Sequence, residues 1–184
     1  SSMLCHAEDV PVWDFEDGWD VLKDMVIYVP EKSVELYKSA FPWAFFTIKA
    51  IPTHYEVSLS ANPEEAGVLT GAGAYDVNGT VTVTAAANAG YKFVRWSDGN
   101  TENPRTITVT EDINLTAEFA IDQYQVTLKS NGNGSVTGSG TYDYGTKITI
   151  EAIANKGYHF EKWSDGNTEN PRKITVTEDM TLTA

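Results

Sequence analysis

The chain has 184 residues, a formal net charge of −13, 11% aromatic residues and one cysteine. So acidic a surface repels a phosphate backbone and anionic lipid, which argues against nucleic acid and charged membranes as partners, and no apolar run reaches the roughly 20 residues of a spanning helix, so no membrane insertion is expected. A lone thiol forms no intrachain disulfide, and stability must come from packing, notably of aromatics.

Residues 1–52 hold three of the five tryptophans, Trp13, Trp19 and Trp43, which read as core or cap packing because large apolar side chains are usually buried. Met25–Val29 is a β-prone run stopped by Pro30. Ser33 is placed to cap a helix whose apolar residues Val34, Leu36, Tyr37 and Ala40 recur at helical spacing, and Pro42 ends it. A second apolar run, Phe45–Ile51, precedes Pro52. The order Cys5-x-Ala7, Val10-Pro11, Phe15, Ile27-Tyr28-Val29-Pro30, Ser33-Val34, Tyr37, Ala40, Trp43, Phe46, Ile48 resembles the last unit of BspA-type leucine-rich repeat proteins, typical of the surfaces of gut and oral Bacteroidetes. The resemblance implies a short α/β cap covering the apolar end of a solenoid.

From residue 53 the chain is a tandem repeat. Trp96–Arg105 recurs letter for letter as Trp163–Arg172, an offset of 67 (163 − 96) that holds without a gap from Gly67 and Gly134 to Ala117 and Ala184. Of those 51 positions 32 are identical, 13 of 29 before the tryptophan and 19 of 22 from it onward, so the C-terminal half of each unit has changed least. The period divides the chain into a cap at 1–52, a β-rich domain at 53–122 and a second at 123–184 whose last strand is truncated, since it stops before the counterpart of Glu118-Phe119. The sequence reads as a piece of a longer chain. Units of this size lie near the lower limit for independent folding.

Each unit opens in strict alternation, Tyr55-x-Val57-x-Leu59 and Tyr124-x-Val126-x-Leu128, the pattern of a half-buried strand. After a break at Asn62-Pro63 or Asn131–Gly134, glycine-studded runs lead into Val81–Ala85 and Ile148–Ala152, again alternating. Tyr91 and Phe93, like Tyr158 and Phe160, then share one face. Lys92 and Val94 become His159 and Glu161 on the other, which is therefore wet. Trp96 and Trp163 have the parity of the wet face, so they are either rim residues or residues turned inward by a bulge. A strand at Thr106–Thr110 and Lys173–Thr177 closes the series, and no helix is expected between 55 and 184. The linker Ala120–Gln123 has neither Gly nor Pro and predicts a stiff, extended connection.

Two candidate sites stand out. Tyr91, Trp96, Tyr158 and Trp163 could serve as stacking platforms for a glycan. In the shared decapeptide, Asp98, Asn100 and Glu102, and equally Asp165, Asn167 and Glu169, alternate oxygen ligands as calcium loops do, though without the closing Glu or the sixth-position Gly. Calcium is the one cofactor the sequence suggests. The same Asp-Gly and Asn-Pro steps are also turn chemistry, and a solvated turn is the first reading. Catalysis has no constellation behind it: His6, His54 and His159 are scattered, and the adjacent carboxylates Glu111-Asp112 and Glu178-Asp179 point apart.

The succession Gly134-x-Val136-Thr137-Gly138-x-Gly140-x-Tyr142, Gly157-Tyr158-x-Phe160-x-x-Trp163-Ser164-Asp165-Gly166, Asn170-Pro171, Ile174-Thr175-Val176 and Leu182-Thr183-Ala184, with its first-copy equivalents, resembles the divergent internalin B-repeat, related to the Listeria-Bacteroides repeat. That resemblance implies a mainly β chain of two small β-grasp-like modules strung in arrays on secreted or surface-anchored bacterial proteins. Such modules act as stalks or weak interaction modules, and no catalytic residues come with the family. The expectation is a monomeric, non-enzymatic surface protein whose solenoid recognises an extracellular protein in adhesion. A carbohydrate-binding module is the alternative, and a spacer array of a surface enzyme a third.

Overall fold

The computed structural model describes residues 2–5, 25–40 and 43–184. The readings of His6, Ala7, Val10-Pro11, Trp13, Phe15, Trp19 and Pro42 lie outside the described residues. By its contacts the chain forms two units, Ser1–Tyr55 and Glu56–Ala184.

In the first unit, β1 (Ser2–Leu4), β2 (Val26–Val29) and β3 (Thr47–Ala50) form a parallel sheet in that order. Ile27, Val29 and Ile48 are buried with Tyr37 and Trp43 in one core, where the Tyr37 and Trp43 rings meet edge-on at 5.4 Å. The expected helix is α1 (Val34–Ser39), preceded by a 3₁₀ turn at Glu31–Ser33. Two details differ from expectation. Ser33 makes no side-chain capping bond, because it already has helical φ and ψ (−97° and −9°) rather than the extended conformation from which a hydroxyl reaches back to the first turn. Leu36 is 49% exposed, since a helix this short offers only a narrow buried stripe, occupied by Tyr37.

The first repeat comprises β4 (His54–Asn62), β5 (Gly67–Thr70), β6 (Gly73–Asp76), β7 (Thr80–Ala87), β8 (Tyr91–Trp96), β9 (Arg105–Thr108) and β10 (Ile113–Ile121). They form two sheets, β6-β4-β10-β8 and β5-β7-β9, with β4 and β10 parallel and in register from Val57 with Ile113 to Asn62 with Glu118. The second repeat comprises β11 (Gln123–Lys129), β12 (Gly134–Thr137), β13 (Gly140–Asp143), β14 (Lys147–Ala154), β15 (Arg172–Thr175) and β16 (Met180–Thr183), in sheets β13-β11-β16 and β12-β14-β15. Alternation sets the inward faces. Val126 and Leu128 from one sheet and Ile150 and Ile174 from the other share a single core with Trp163, Val176 and Leu182; Val57, Val83, Trp96, Val109 and Leu115 are the buried counterparts. Helical content between 56 and 184 is one 3₁₀ turn, Glu64–Ala66, among the described residues.

Two features of β8 and β10 decide where the first tryptophan points and how the module is closed. Along the antiparallel pair, Glu118 lies opposite Arg95 but Phe119 lies opposite Phe93. Val94 is therefore an extra residue, a β-bulge that inverts the parity of the residues after it, so Trp96 turns to the same side as Phe93. In addition, β8 pairs only with the outer half of β10, Ala117–Ile121. The second copy as given reaches the counterpart of Ala117, and Tyr158–Trp163 is assigned to no strand.

The repeats meet at Asp122. Its N–H donates to Gly90 O at 2.8 Å and its carbonyl accepts the Tyr144 N–H at 2.8 Å. The Tyr144 ring lies where a side chain on Gly90 would be, and Gly90 has φ +84°. Tyr124 packs on Tyr144 at 6.4 Å.

Candidate functional site

The decapeptide turn is built identically in both repeats, and almost every residue in it has a structural partner. The indole Nε1 of Trp96 donates to Glu102 O at 3.0 Å, as Trp163 does to Glu169 O at 3.0 Å. Ser97 N–H bonds to Thr116 O, and Ser97 Oγ accepts the Thr116 N–H at 3.1 Å, which carries the sheet one residue past the end of β8. Gly99, at φ +86°, makes the reversal. Asn103 behaves as a substitute strand residue: its Oδ1 accepts Ala85 N–H at 2.9 Å and its Nδ2 donates to Ala85 O at 2.7 Å, satisfying the part of β7 that lies beyond β9. Asn170 does the same for Ala152 at 2.9 and 2.7 Å.

The residues with calcium-like spacing sit inside this turn. Asp98 Oδ1 accepts the Asn100 N–H, Asn100 Oδ1 accepts the Glu102 N–H, and Asp98 Oδ2 accepts from the Arg105 guanidinium. In the second copy Asp165, Asn167, Glu169 and Arg172 repeat these bonds. Partial burial works against ionisation of Asp98, but the Arg105 hydrogen bond, the Asn100 N–H and the Arg105 charge together hold its carboxyl below the ordinary aspartate value. The hydrogen bond from Arg172 does so foremost for Asp165. Two side-chain oxygens of each loop are thus committed to its backbone, and an arginine already neutralises the aspartate. Among the described residues no group of three or more His, Cys, Asp or Glu converges as a metal site would.

The aromatic candidates separate. Trp96 and Trp163 are both 0% exposed, which corrects the rim placement: the bulge at Val94 turns the first inward, and the same bend recurs in the second copy, with Phe93–Trp96 and Phe160–Trp163 ring centroids at 5.5 and 5.4 Å. Neither indole offers a face to a ligand. Tyr91 is half-buried, with its hydroxyl 3.4 Å from Glu65 Oε1. Tyr158 is 58% exposed and borders a cleft of about 240 Å³ in the second repeat. The acidic pairs have a structural role as well: Asp112 accepts the Glu56 N–H at 2.9 Å and Asp179 the Gln125 N–H at 2.7 Å, each pinning the first strand of its repeat.

With this geometry in place, both repeats match the family model described as the divergent InlB B-repeat domain, over residues 57–123 and 124–184. Among solved structures, the Bacillus anthracis TIE protein is similar at 14% identity and a TM-score of 0.40, over 76% of this chain and 34% of that one, so that this chain spans about a third of its length.

Proposed function

The chain belongs to the divergent InlB B-repeat family, whose modules are typical of bacterial surface and extracellular proteins, and from that premise we propose that its repeats work as a non-catalytic spacer. The observation that carries this reading is the joint at Asp122. One linker residue is held by backbone hydrogen bonds on both sides, and an aromatic ring fills the space above a glycine. A spacer must transmit position from one module to the next, and a joint with its own polar groups satisfied resists bending better than a solvated linker.

Relaxation of backbone amide nitrogens tests the reading. Residues 57–121 and 123–184 are expected to share one rotational diffusion tensor. Separate correlation times for the two repeats would defeat it.

In the same reading, residues 1–52 are the terminal cap of a BspA-type leucine-rich repeat solenoid on a Bacteroidetes surface, and the solenoid recognises an extracellular protein in adhesion. Support comes from the parallel order β1-β2-β3, in which Ser2 pairs with Val26 and Val26 with Thr47. Those steps of 24 (26 − 2) and 21 (47 − 26) residues fall within the roughly 20–29-residue period of leucine-rich repeats. A carbohydrate-binding role loses its two indole platforms to burial and retains only Tyr91 and Tyr158.

A further inference from the structure

Asn-Gly and Asp-Gly steps occur among the described residues at Asn78, Asp98, Asn131, Asn133 and Asp165. Such a step is able to react with itself, because glycine has no side chain to shield its nitrogen from the carbonyl carbon of the preceding side chain. Exposure does not tell these positions apart, since each of the side chains is exposed. The hydrogen bonding of the following N–H does. Gly79 N–H donates to Asp76 O at 2.8 Å, Gly99 N–H to Trp96 O at 2.9 Å and Gly166 N–H to Trp163 O at 2.8 Å. Gly132 N–H donates to Ser130 Oγ at 3.2 Å. Asp98 and Asp165 are disarmed further, because their arginine partners keep them ionised and a carboxylate is a poor electrophile.

Asn133-Gly134 is the exception. Asn133 O accepts the Asn155 N–H at 2.9 Å, so across the planar trans peptide the Gly134 N–H points the opposite way, away from β14. On that side β12 is the edge of its sheet, as β5 is in the first repeat. The Asn133 carboxamide makes no hydrogen bond among the described residues. Nucleophile and electrophile are adjacent, and neither is engaged.

We propose that Asn133-Gly134 is a self-modifying site. The Gly134 nitrogen gives up its proton to hydroxide and attacks Asn133 Cγ; the new C–N bond closes a succinimide, and the amide nitrogen leaves as ammonia. Water then opens the ring at either carbonyl, giving isoaspartate or aspartate, with no change of oxidation state. The isoaspartate product lengthens the main chain by one methylene and turns the carbonyl that held Asn155 N–H into a side carboxylate. It also displaces Gly134 O from Ser130 Oγ, now 2.8 Å away. The start of β12 is therefore untied from both neighbours, and the second repeat carries a covalent record of its age. The joint at Asp122 takes no part, so this inference stands or falls separately from the spacer reading.

The test ages the whole chain at body temperature in mildly alkaline heavy-oxygen water, then digests it with trypsin in ordinary water. Residues 130–147 and 50–92 fall in separate peptides, and electron-transfer fragmentation locates the label and tells isoaspartate from aspartate. Label is expected first at Asn133, with isoaspartate in excess, while Asn78 stays unchanged. In denaturant Asn78, Asn131 and Asn133 should react at similar rates, since the bonds that separate them are gone. Ser130→Ala frees the Gly132 N–H and should speed conversion of Asn131 several-fold. Ageing should lower the melting temperature of the parent chain and spare that of Asn133→Gln. No label at Asn133 in the native chain overturns the proposal, as does conversion of Asn78 at the same rate or of Asn131 ahead of Asn133.

Discussion

Arg105 and Asp98 close the decapeptide turn on itself: the guanidinium donates to one carboxylate oxygen while the other accepts the Asn100 N–H at 3.1 Å, and Arg172 and Asp165 repeat the arrangement with a 2.6 Å ion pair. The pairing has a pH signature. Both carboxyls are held below their ordinary value, so the native state favours their ionised form. The stability they add is therefore complete above the unfolded pKa of about 3.9 and is lost as pH falls through the lower folded value. Melting temperature should fall on acidification below about pH 4, and an Asp98→Asn, Asp165→Asn double variant should show a smaller fall over the same range. An identical acid limb in that variant would refute the assignment. Salt should blunt the effect, because both carboxylates are partly solvated.

Asn103 carries more than a turn propensity. Its amide meets both polar groups of Ala85, so Asn103→Ala leaves a part-buried N–H and C=O unpaired and should cost the first repeat about 1–3 kcal/mol in denaturant unfolding. Thr101, exposed in the same turn, serves as the control: Thr101→Ala should stay within about 0.5 kcal/mol of the parent. Equal effects at the two positions would contradict the assignment.

The buried indoles predict an optical result. The emission lost in Trp96→Phe or Trp163→Phe should be blue-shifted and nearly inaccessible to acrylamide, with or without glycans or calcium. Each substitution removes the bond to Glu102 O or Glu169 O and leaves a small void, costing about 1–3 kcal/mol in its own repeat. Quenching at the rate of free tryptophan would restore the rim placement.

Gly90 and Gly157 are equivalent in sequence and unequal in surroundings. Both have positive φ, +84° and +91°, but Tyr144 covers only the first. Gly157→Ala should cost only the left-handed conformational penalty of about 1–2 kcal/mol. Gly90→Ala should pay the same penalty and also displace Tyr144, decoupling the tumbling of the two repeats in nitrogen relaxation while Gly157→Ala leaves it coupled.

What could be read from the sequence was whatever is periodic. Alternation at Val57-x-Leu59 and Val81-x-Val83 placed strands and their inward faces, and the 67-residue offset placed the modules. Parity left Trp96 between the rim and a bulge-turned interior, because a bulge is defined by the partner strand: Val94 is surplus only once Glu118 and Phe119 are aligned beside it. The decapeptide left a ligand loop open beside the turn reading for a related reason. Asp, Asn and Glu with alternating oxygens suit a cation and suit a backbone equally well, and only the positions of the Asn100 and Glu102 N–H groups and of Arg105 decide between them.

The parallel pairing of β4 with β10, and of β11 with β16, governs how each module bears load. The chain enters a repeat along one of these strands and leaves along its immediate neighbour, pointing the same way. Tension on the two ends slides the strands past one another, so the hydrogen bonds between them must yield together instead of parting one after another from an edge. The unfolding force of a module pulled at its termini should therefore exceed that for pulling across the sheet.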